Sequence, residues 1–193
     1  MGEKPAVDNV LFIIKCVSVA MGTVSIGCII CGVLTLTYAA PTFAFPYSTG
    51  SGIWTGIVTL LIFVFGMRFT AHYCTDNPSA SKCDLLAFYV FIVMDITMGS
   101  LNTTYSGLGL ASCINNSTTD SGQVICTDDN LSYVCGFNTA FGCVVMLVAL
   151  ATTLYMNIGR KLRWLLGYPI DIDAPYATCC NGKCKCYFYS TVA

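Results

Sequence analysis

The chain has 193 residues, of which 55% are hydrophobic and only 10% are charged, and its formal net charge is -1. This composition is too apolar and too poor in charge for an ordinary soluble domain. We therefore expect one helical membrane domain with a short tail, and no nucleic-acid partner.

Four apolar runs divide the chain, and each is long enough for the ~20 residues that a helix needs to cross a bilayer. We predict helices at about 10–38, 53–71, 85–110 and 133–158. Together they form an all-α, four-helix integral membrane domain at 10–158, between an N-terminal segment at 1–9 and a cysteine-rich tail at 159–193. No cleavable signal peptide is expected, because the first run far exceeds the length of an h-region.

The lysines and arginines lie on one side of these runs. Segments 39–52 and 111–132 contain neither residue, whereas the N-terminus, the 72–84 connection and the tail contain them. Cationic flanks are retained in the cytoplasm. We predict cytoplasmic termini, a cytoplasmic 72–84 loop and two outward loops, in the plasma membrane or a secretory-pathway vesicle membrane.

Glycines recur along the first two predicted helices. Because small residues let helices approach closely in lipid, we predict that these glycines are helix-packing positions. They are Gly22, Gly27, Gly32, Gly52 and Gly56.

The first two loops each have two interpretations. Phe43, Phe45 and Tyr47 are predicted to anchor the first outer loop in the membrane interface, with a binding surface as the alternative. In the 72–84 loop, His72 lies near two cysteines, but the spacing matches no zinc pattern, so we predict a polar hairpin that turns at Asn77-Pro78 and no metal site.

Asp95 lies near the bilayer midplane in the predicted third helix, where an ionised carboxylate costs ~2.5–3.5 kcal/mol on insertion scales and needs a partner. Lys15 enters the first helix from the same side, and its long side chain closes part of the gap. The alternative is a protonated Asp95 bonded to a group such as Thr97, Ser25 or Asn138. We favour a structural interhelical contact over an ion or proton path or a contact with a partner protein.

The second outer loop combines cysteines with acceptor sequences for glycans. Disulfides persist on the oxidising side of a membrane, and we predict that Cys113 pairs with Cys126, with Cys113 and Cys135 as the alternative pair. Asn115 and Asn116 begin overlapping Asn-x-Ser/Thr motifs in a polar loop, so we predict a glycan on one of them.

Four cysteines lie among lysines in the tail. Juxtamembrane cysteines beside basic residues are typical of palmitoylation, and basic residues attract anionic lipid, so membrane lipids are predicted partners. A zinc cluster is the alternative, although this spacing matches no standard knuckle. The four residues are Cys179, Cys180, Cys184 and Cys186.

The chain shows no arrangement typical of an active site. It contains no Ser/His/Asp set, no paired carboxylates and no phosphate-binding glycine loop, and its one histidine has no obvious nucleophile except Cys74. We therefore predict no catalytic residues, no cofactor and no enzymatic activity.

The layout of four helices with both ends inside, a short first outer loop, a longer second loop with paired cysteines and GSGIWTGI at the start of the second helix resembles the membrane-spanning four-domain family. This family includes the B-lymphocyte antigen and the β-subunit of the high-affinity IgE receptor. The resemblance covers about residues 10–158 and implies a self-associating helical bundle that serves as a receptor or channel accessory. Tetraspanins share the topology, but their large outer loop normally carries a Cys-Cys-Gly motif, which this loop lacks.

The predicted function is that of a non-enzymatic scaffold or accessory subunit that packs laterally against itself or other membrane proteins. An ion-conducting or proton-coupled oligomer that uses Asp95 is the first alternative. A cell-surface receptor that binds ligand through its outer loops is the second.

Overall fold

The computed structural model describes residues 7–39, 45–73, 78–115, 126, 129–158, 162 and 165. The described part is all-helical and contains no strand. Five of the predicted modification sites lie outside the described residues: Asn116, Cys179, Cys180, Cys184 and Cys186.

Four long helices make up almost all of the described chain. Helix α1 spans Val7–Ala39, α2 spans Ser51–His72, α3 spans Pro78–Ile114 and α4 spans Asp129–Asn157, and a short 3₁₀ helix at Tyr47–Thr49 precedes α2. Each long helix includes a stretch that is long and apolar enough to cross a membrane. The prediction of an all-helical chain with four such helices is confirmed.

The helices extend beyond the predicted apolar runs, most clearly at α3. This helix begins at Pro78 rather than near residue 85, and it continues to Ile114 rather than ending near 110. Much of the predicted 72–84 hairpin is therefore helix. Proline is favourable at the first helical position because its missing N–H would have no helical partner there. Hydropathy locates the apolar part of a helix, but backbone hydrogen bonding continues into its polar flanks.

Gly50 directs the chain from the 3₁₀ helix into α2. Its φ of 59° is in the left-handed region, which glycine adopts without the steric cost of a Cβ. Its carbonyl accepts hydrogen bonds from the N–H groups of Ile53 at 2.9 Å and Trp54 at 3.2 Å. A larger residue here would strain the start of α2.

Consecutive helices pack antiparallel to one another. Gly22 of α1 lies against Phe63 of α2, whereas Gly32 lies against Ile53, so residue numbers rise along one helix as they fall along the other. Helices α2 and α3 are also antiparallel, as are α3 and α4. Helix α1 also packs on α4, which completes the bundle.

The two ends of the bundle differ in chemistry. We call the end that contains Tyr47 and Cys113 the disulfide end, and the end that contains His72 and Asp84 the histidine end. A small cluster of buried residues at the disulfide end includes Tyr47, Cys113 and Leu131. The larger apolar core occupies the rest of the bundle.

All five predicted packing glycines lie where another helix of the same chain comes close. A Cβ added at any of them would meet a neighbouring atom at 2.5 to 2.8 Å, which is too close for ordinary packing. Their neighbours are, in order, Phe63 for Gly22, Phe141 for Gly27, Ile53 for Gly32, Asn138 for Gly52 and Ile29 for Gly56. These glycines therefore contribute to helix packing within the chain.

Candidate functional site

A line of polar side chains runs between α2, α3 and α4 from the disulfide end to the middle of the bundle. In α2 the hydroxyl residues recur at every fourth position, which places them on one helical face. We call the whole set the polar seam: Ser51, Thr55, Thr59, Asp95, Asn102, Ser106 and Asn138. All of these residues except the partly exposed Ser51 are buried.

Asp95 lies near the middle of α3 and is fully buried. Its two carboxyl oxygens lie 3.1 and 2.9 Å from Thr59 Oγ1. The same hydroxyl lies 2.8 Å from the carbonyl oxygen of Thr55, and the Thr55 hydroxyl donates to the Met98 carbonyl at 3.1 Å. Asp95 thus joins α3 to α2 in the middle of the bundle.

The partner of Asp95 is none of the residues predicted from the sequence. Lys15 is exposed on α1 and makes no ion pair with Asp95. Thr97 is also exposed, and the Ser25 hydroxyl donates to the Gly22 carbonyl of its own helix at 3.0 Å. Thr59 is the partner of Asp95 because α2 lies beside α3. The sequence alone does not specify which residues of two antiparallel helices face each other.

Asn102 of α3 and Asn138 of α4 form a reciprocal amide pair. Each side-chain Nδ2 donates to the other residue's Oδ1 at 3.1 Å. Ser51 of α2 also donates to Asn102 Oδ1 at 2.9 Å, and Asn138 Nδ2 donates to Ser106 Oγ at 2.8 Å. Three helices are therefore held together by one hydrogen-bond network.

A small cavity lies beside this network, towards the disulfide end. Its volume is about 10 Å³, and its lining includes Tyr47, Thr49, Ser51, Ser106 and Asn138. A polar cavity of ~10–15 Å³ has room for one water molecule. The site is therefore suited to a single buried water and is too small for an organic ligand.

The polar seam does not continue into the histidine half of the bundle. Beyond Asp95, the interior contains large apolar side chains that are fully or almost fully buried, among them Ile62, Phe69, Phe88 and Ile92. These side chains separate Asp95 from the charged residues at the histidine end. Two buried hydroxyl residues also lie in this half, Ser18 and Thr152, but each donates to a carbonyl of its own helix and neither joins the polar seam.

A second cluster of charged residues occupies the histidine end. Asp84 is 6% exposed, its Oδ2 lies 3.0 Å from His72 Nδ1, and its Oδ1 lies 3.6 Å from Arg68 Nε. These contacts join α2 to α3. Within the residues that the structure describes, no group of three or more His, Cys, Asp or Glu side chains is placed to hold a metal ion.

The disulfide end is organised around Tyr47. Its hydroxyl donates to the Gly109 carbonyl at 2.7 Å and lies 3.3 Å from Cys113 Sγ. The sulfurs of Cys113 and Cys126 lie at disulfide distance, as the sequence predicts, whereas Cys135 is a buried free thiol. Tyr47 is therefore part of the packed interior, not an interfacial anchor.

Two further predicted residues at this end, Phe45 and Asn115, are exposed. Phe45 is 61% exposed and contacts Tyr105 edge to face, with ring centroids 5.6 Å apart. Asn115 is exposed just after the end of α3, which leaves its side chain accessible.

No protein family, curated protein or solved structure matches this chain.

Most members of the polar seam were not predicted from the sequence. Thr59 is a single hydroxyl residue in an apolar run, whereas Ser51 and Ser106 lie among glycines and other hydroxyl residues. Hydroxyl residues of both kinds are common in membrane helices. The four-residue spacing of Ser51, Thr55 and Thr59 was the available signal, because it places three hydroxyl groups on one face of α2.

Proposed function

We propose that the chain is a multi-pass membrane scaffold or accessory subunit that associates laterally with copies of itself or with other membrane proteins. The main supporting observation is how polar and apolar groups are distributed. The residues of the polar seam contact one another between helices of one chain. Apolar residues such as Ile26 on α1 and Leu147 on α4, in contrast, point outward and are more than half exposed. A surface of this kind suits lipid or another apolar helix.

We further propose that the disulfide end faces the lumen or the extracellular space and that both termini are cytoplasmic. Arg68 and Lys82 lie towards the histidine end, and cationic residues are retained on the cytoplasmic side. The cystine at the opposite end agrees with this orientation, since disulfides persist in oxidising compartments. On the same basis, we propose a glycan at Asn115 or Asn116 and acylation of the tail cysteines.

The structure gives less support to conduction through Asp95 in a single chain. A path needs polar groups or water on both sides of its central residue. Large apolar side chains such as Phe88 and Ile92 lie between Asp95 and the histidine end, and the buried Ser18 hydroxyl in that region bonds to its own helix; both observations favour the scaffold over a conducting path. Asp95→Asn, reconstituted in liposomes, tests this alternative: loss of a flux that the unaltered protein supports would favour the conducting function over the scaffold.

Counting chains in the membrane tests the proposed function. The protein, labelled with one fluorophore per chain, is extracted from its native membrane with the surrounding lipid, and photobleaching steps and co-purifying proteins are recorded. We expect two or more copies, or a defined membrane-protein partner. A monomer without partners would contradict the proposal.

Two glycines of α4 provide a matched pair of variants for this experiment. A Cβ at Gly136 would meet nothing within 4 Å, whereas a Cβ at Gly142 would lie 2.6 Å from Thr103 Oγ1. Gly136→Leu adds bulk to the outer surface and should change lateral association without unfolding the bundle. Gly142→Leu should disrupt the α3–α4 contact. It therefore serves as the control that shows how the same measurement responds when packing within the chain is disturbed.

A further inference from the structure

The hydrogen bonds around Thr59 indicate the protonation state of Asp95. Thr59 Oγ1 lies 2.9 Å from Asp95 Oδ2 and 2.8 Å from the Thr55 carbonyl oxygen. A threonine hydroxyl has one hydrogen to donate, while a carbonyl and an ionised carboxylate can only accept. If Asp95 were ionised, its carboxylate and the Thr55 carbonyl would compete for that single hydrogen.

We infer that Asp95 is a proton-binding site whose neutral carboxyl group donates its hydrogen to Thr59. Asp95 Oδ2–H donates to Thr59 Oγ1, and the Thr59 hydrogen is donated in turn to the Thr55 carbonyl. Each hydrogen in this series of hydrogen bonds, from Asp95 through Thr59 to the Thr55 carbonyl, then has an acceptor. The assignment concerns the bound proton and does not depend on the proposed lateral association.

Among the residues that the structure describes, the basic side chains of α1 and α2 do not balance an ionised Asp95. Residues 130–157 of α4 contain no ionic side chain, and the basic side chain that α1 presents, Lys15, is exposed. On α2, Arg68 and His72 contact Asp84 at the histidine end. Asp84 precedes Asp95 by eleven residues on α3, which corresponds to ~16 Å along a helix.

The other groups around Asp95 are neutral. The Thr59 hydroxyl contacts it from α2, the Thr55 hydroxyl is bonded to the Met98 carbonyl, and the thiol that α1 buries fully is that of Cys28. An unpaired buried ion is far more costly than a neutral group with a hydrogen-bond partner. The surroundings therefore agree with the hydrogen count around Thr59.

Infrared spectroscopy of the full chain in lipid vesicles at neutral pH tests the inference. We expect a protonated-carboxyl C=O stretching band that is lost in Asp95→Asn. The band should move to higher frequency in Thr59→Val, because the acid then loses its acceptor. Asp84→Asn is the matched control, since it alters the other buried aspartate of α3 and should leave the band in place. A difference between the unaltered protein and Asp95→Asn that contains only carboxylate bands would overturn the inference.

A second measurement covers the case in which Asp95→Asn does not fold. The unaltered protein is produced with ¹³C-labelled aspartate carboxyl groups. Exposed aspartates are ionised at neutral pH, so a label-sensitive protonated band at that pH must come from a buried aspartate, and its response to Thr59→Val assigns it to Asp95. The absence of any label-sensitive protonated band would equally refute the assignment.

Discussion

Asn102 and Asn138 pair through both of their side-chain amides, each donating to the other's Oδ1 at 3.1 Å. Asn102 Nδ2 also lies 3.1 Å from the backbone carbonyl of Asn138. Both residues are buried, so a sliding of α3 relative to α4 would leave two amides without partners in an apolar environment. The pair therefore favours one register of these helices.

Asn138→Ala should destabilise the bundle by ~1–3 kcal/mol, because it leaves Asn102 without its amide partner. A calibrated denaturant titration of the reconstituted protein measures this change in the free energy of unfolding. Asn157→Ala is the control on the same helix. Asn157 is exposed, although it donates to Tyr89 Oη at 2.8 Å, so its replacement should cost less.

A double-mutant cycle with Asn102→Ala tests the reciprocity of the pair. We expect a coupling energy of ~0.6–1.7 kcal/mol, the range that interhelical hydrogen bonds show in membrane proteins. Strict additivity of the two single substitutions would show that the amides do not act together.

Gly52→Ala should destabilise the bundle by ~1–3 kcal/mol, which is typical of overpacking. Its Cβ would lie 2.8 Å from the Asn138 amide atoms and 2.9 Å from the Cys28 carbonyl oxygen, so it would push α2 away from α1 and displace the amide pair. Thermal unfolding in detergent or nanodiscs measures the loss.

Gly136→Ala is the opposite case, because its Cβ has open space around it. Alanine is the better helix former by ~1 kcal/mol, and we expect this variant to be as stable as the unaltered protein or slightly more so. Equal losses in both variants would mean that the close approach at Gly52 does not limit packing.

Asp84→Ala should loosen the histidine end of the bundle, because it removes the carboxylate that contacts both His72 and Arg68. We expect a loss of ~1–3 kcal/mol, dominated by the part-buried contact with His72, and faster hydrogen exchange at the start of α3. Asp84→Asn keeps one side-chain oxygen and should lose less. Unchanged exchange in the alanine variant would show that the cluster does not hold α2 to α3.

Replacing Cys113 and Cys126 together with serine should destabilise the protein by ~3 kcal/mol, the effect of a disulfide that closes a loop of about fifteen residues. Peptide mapping without reduction should recover these two cysteines linked and Cys135 free. Cys135→Ser should leave the crosslink intact. Recovery of Cys113 linked to Cys135 would instead support the alternative pairing.

Local patterns were sufficient to predict the four helices, because a long apolar run needs backbone hydrogen bonds within itself whatever surrounds it. They predicted the ends of the helices less accurately, since α3 begins at Pro78 within a polar segment. The pair of Cys113 and Cys126 could also be predicted, since both fall within the predicted second outer loop, on the side expected to be oxidising.

The contacts of Asp95 and the role of the glycines required the tertiary structure. The sequence identified Asp95 as a residue that needs a partner, because a buried carboxyl cannot be left without one. Thr59 is that partner only because α2 and α3 are antiparallel neighbours in one particular register. In the same way, the sequence predicted that Gly52 is a position of close helix packing. Only the tertiary structure shows that its neighbour is Asn138 of the same chain. Pairings between helices depend on how whole faces fit together, and that information is not local in the sequence.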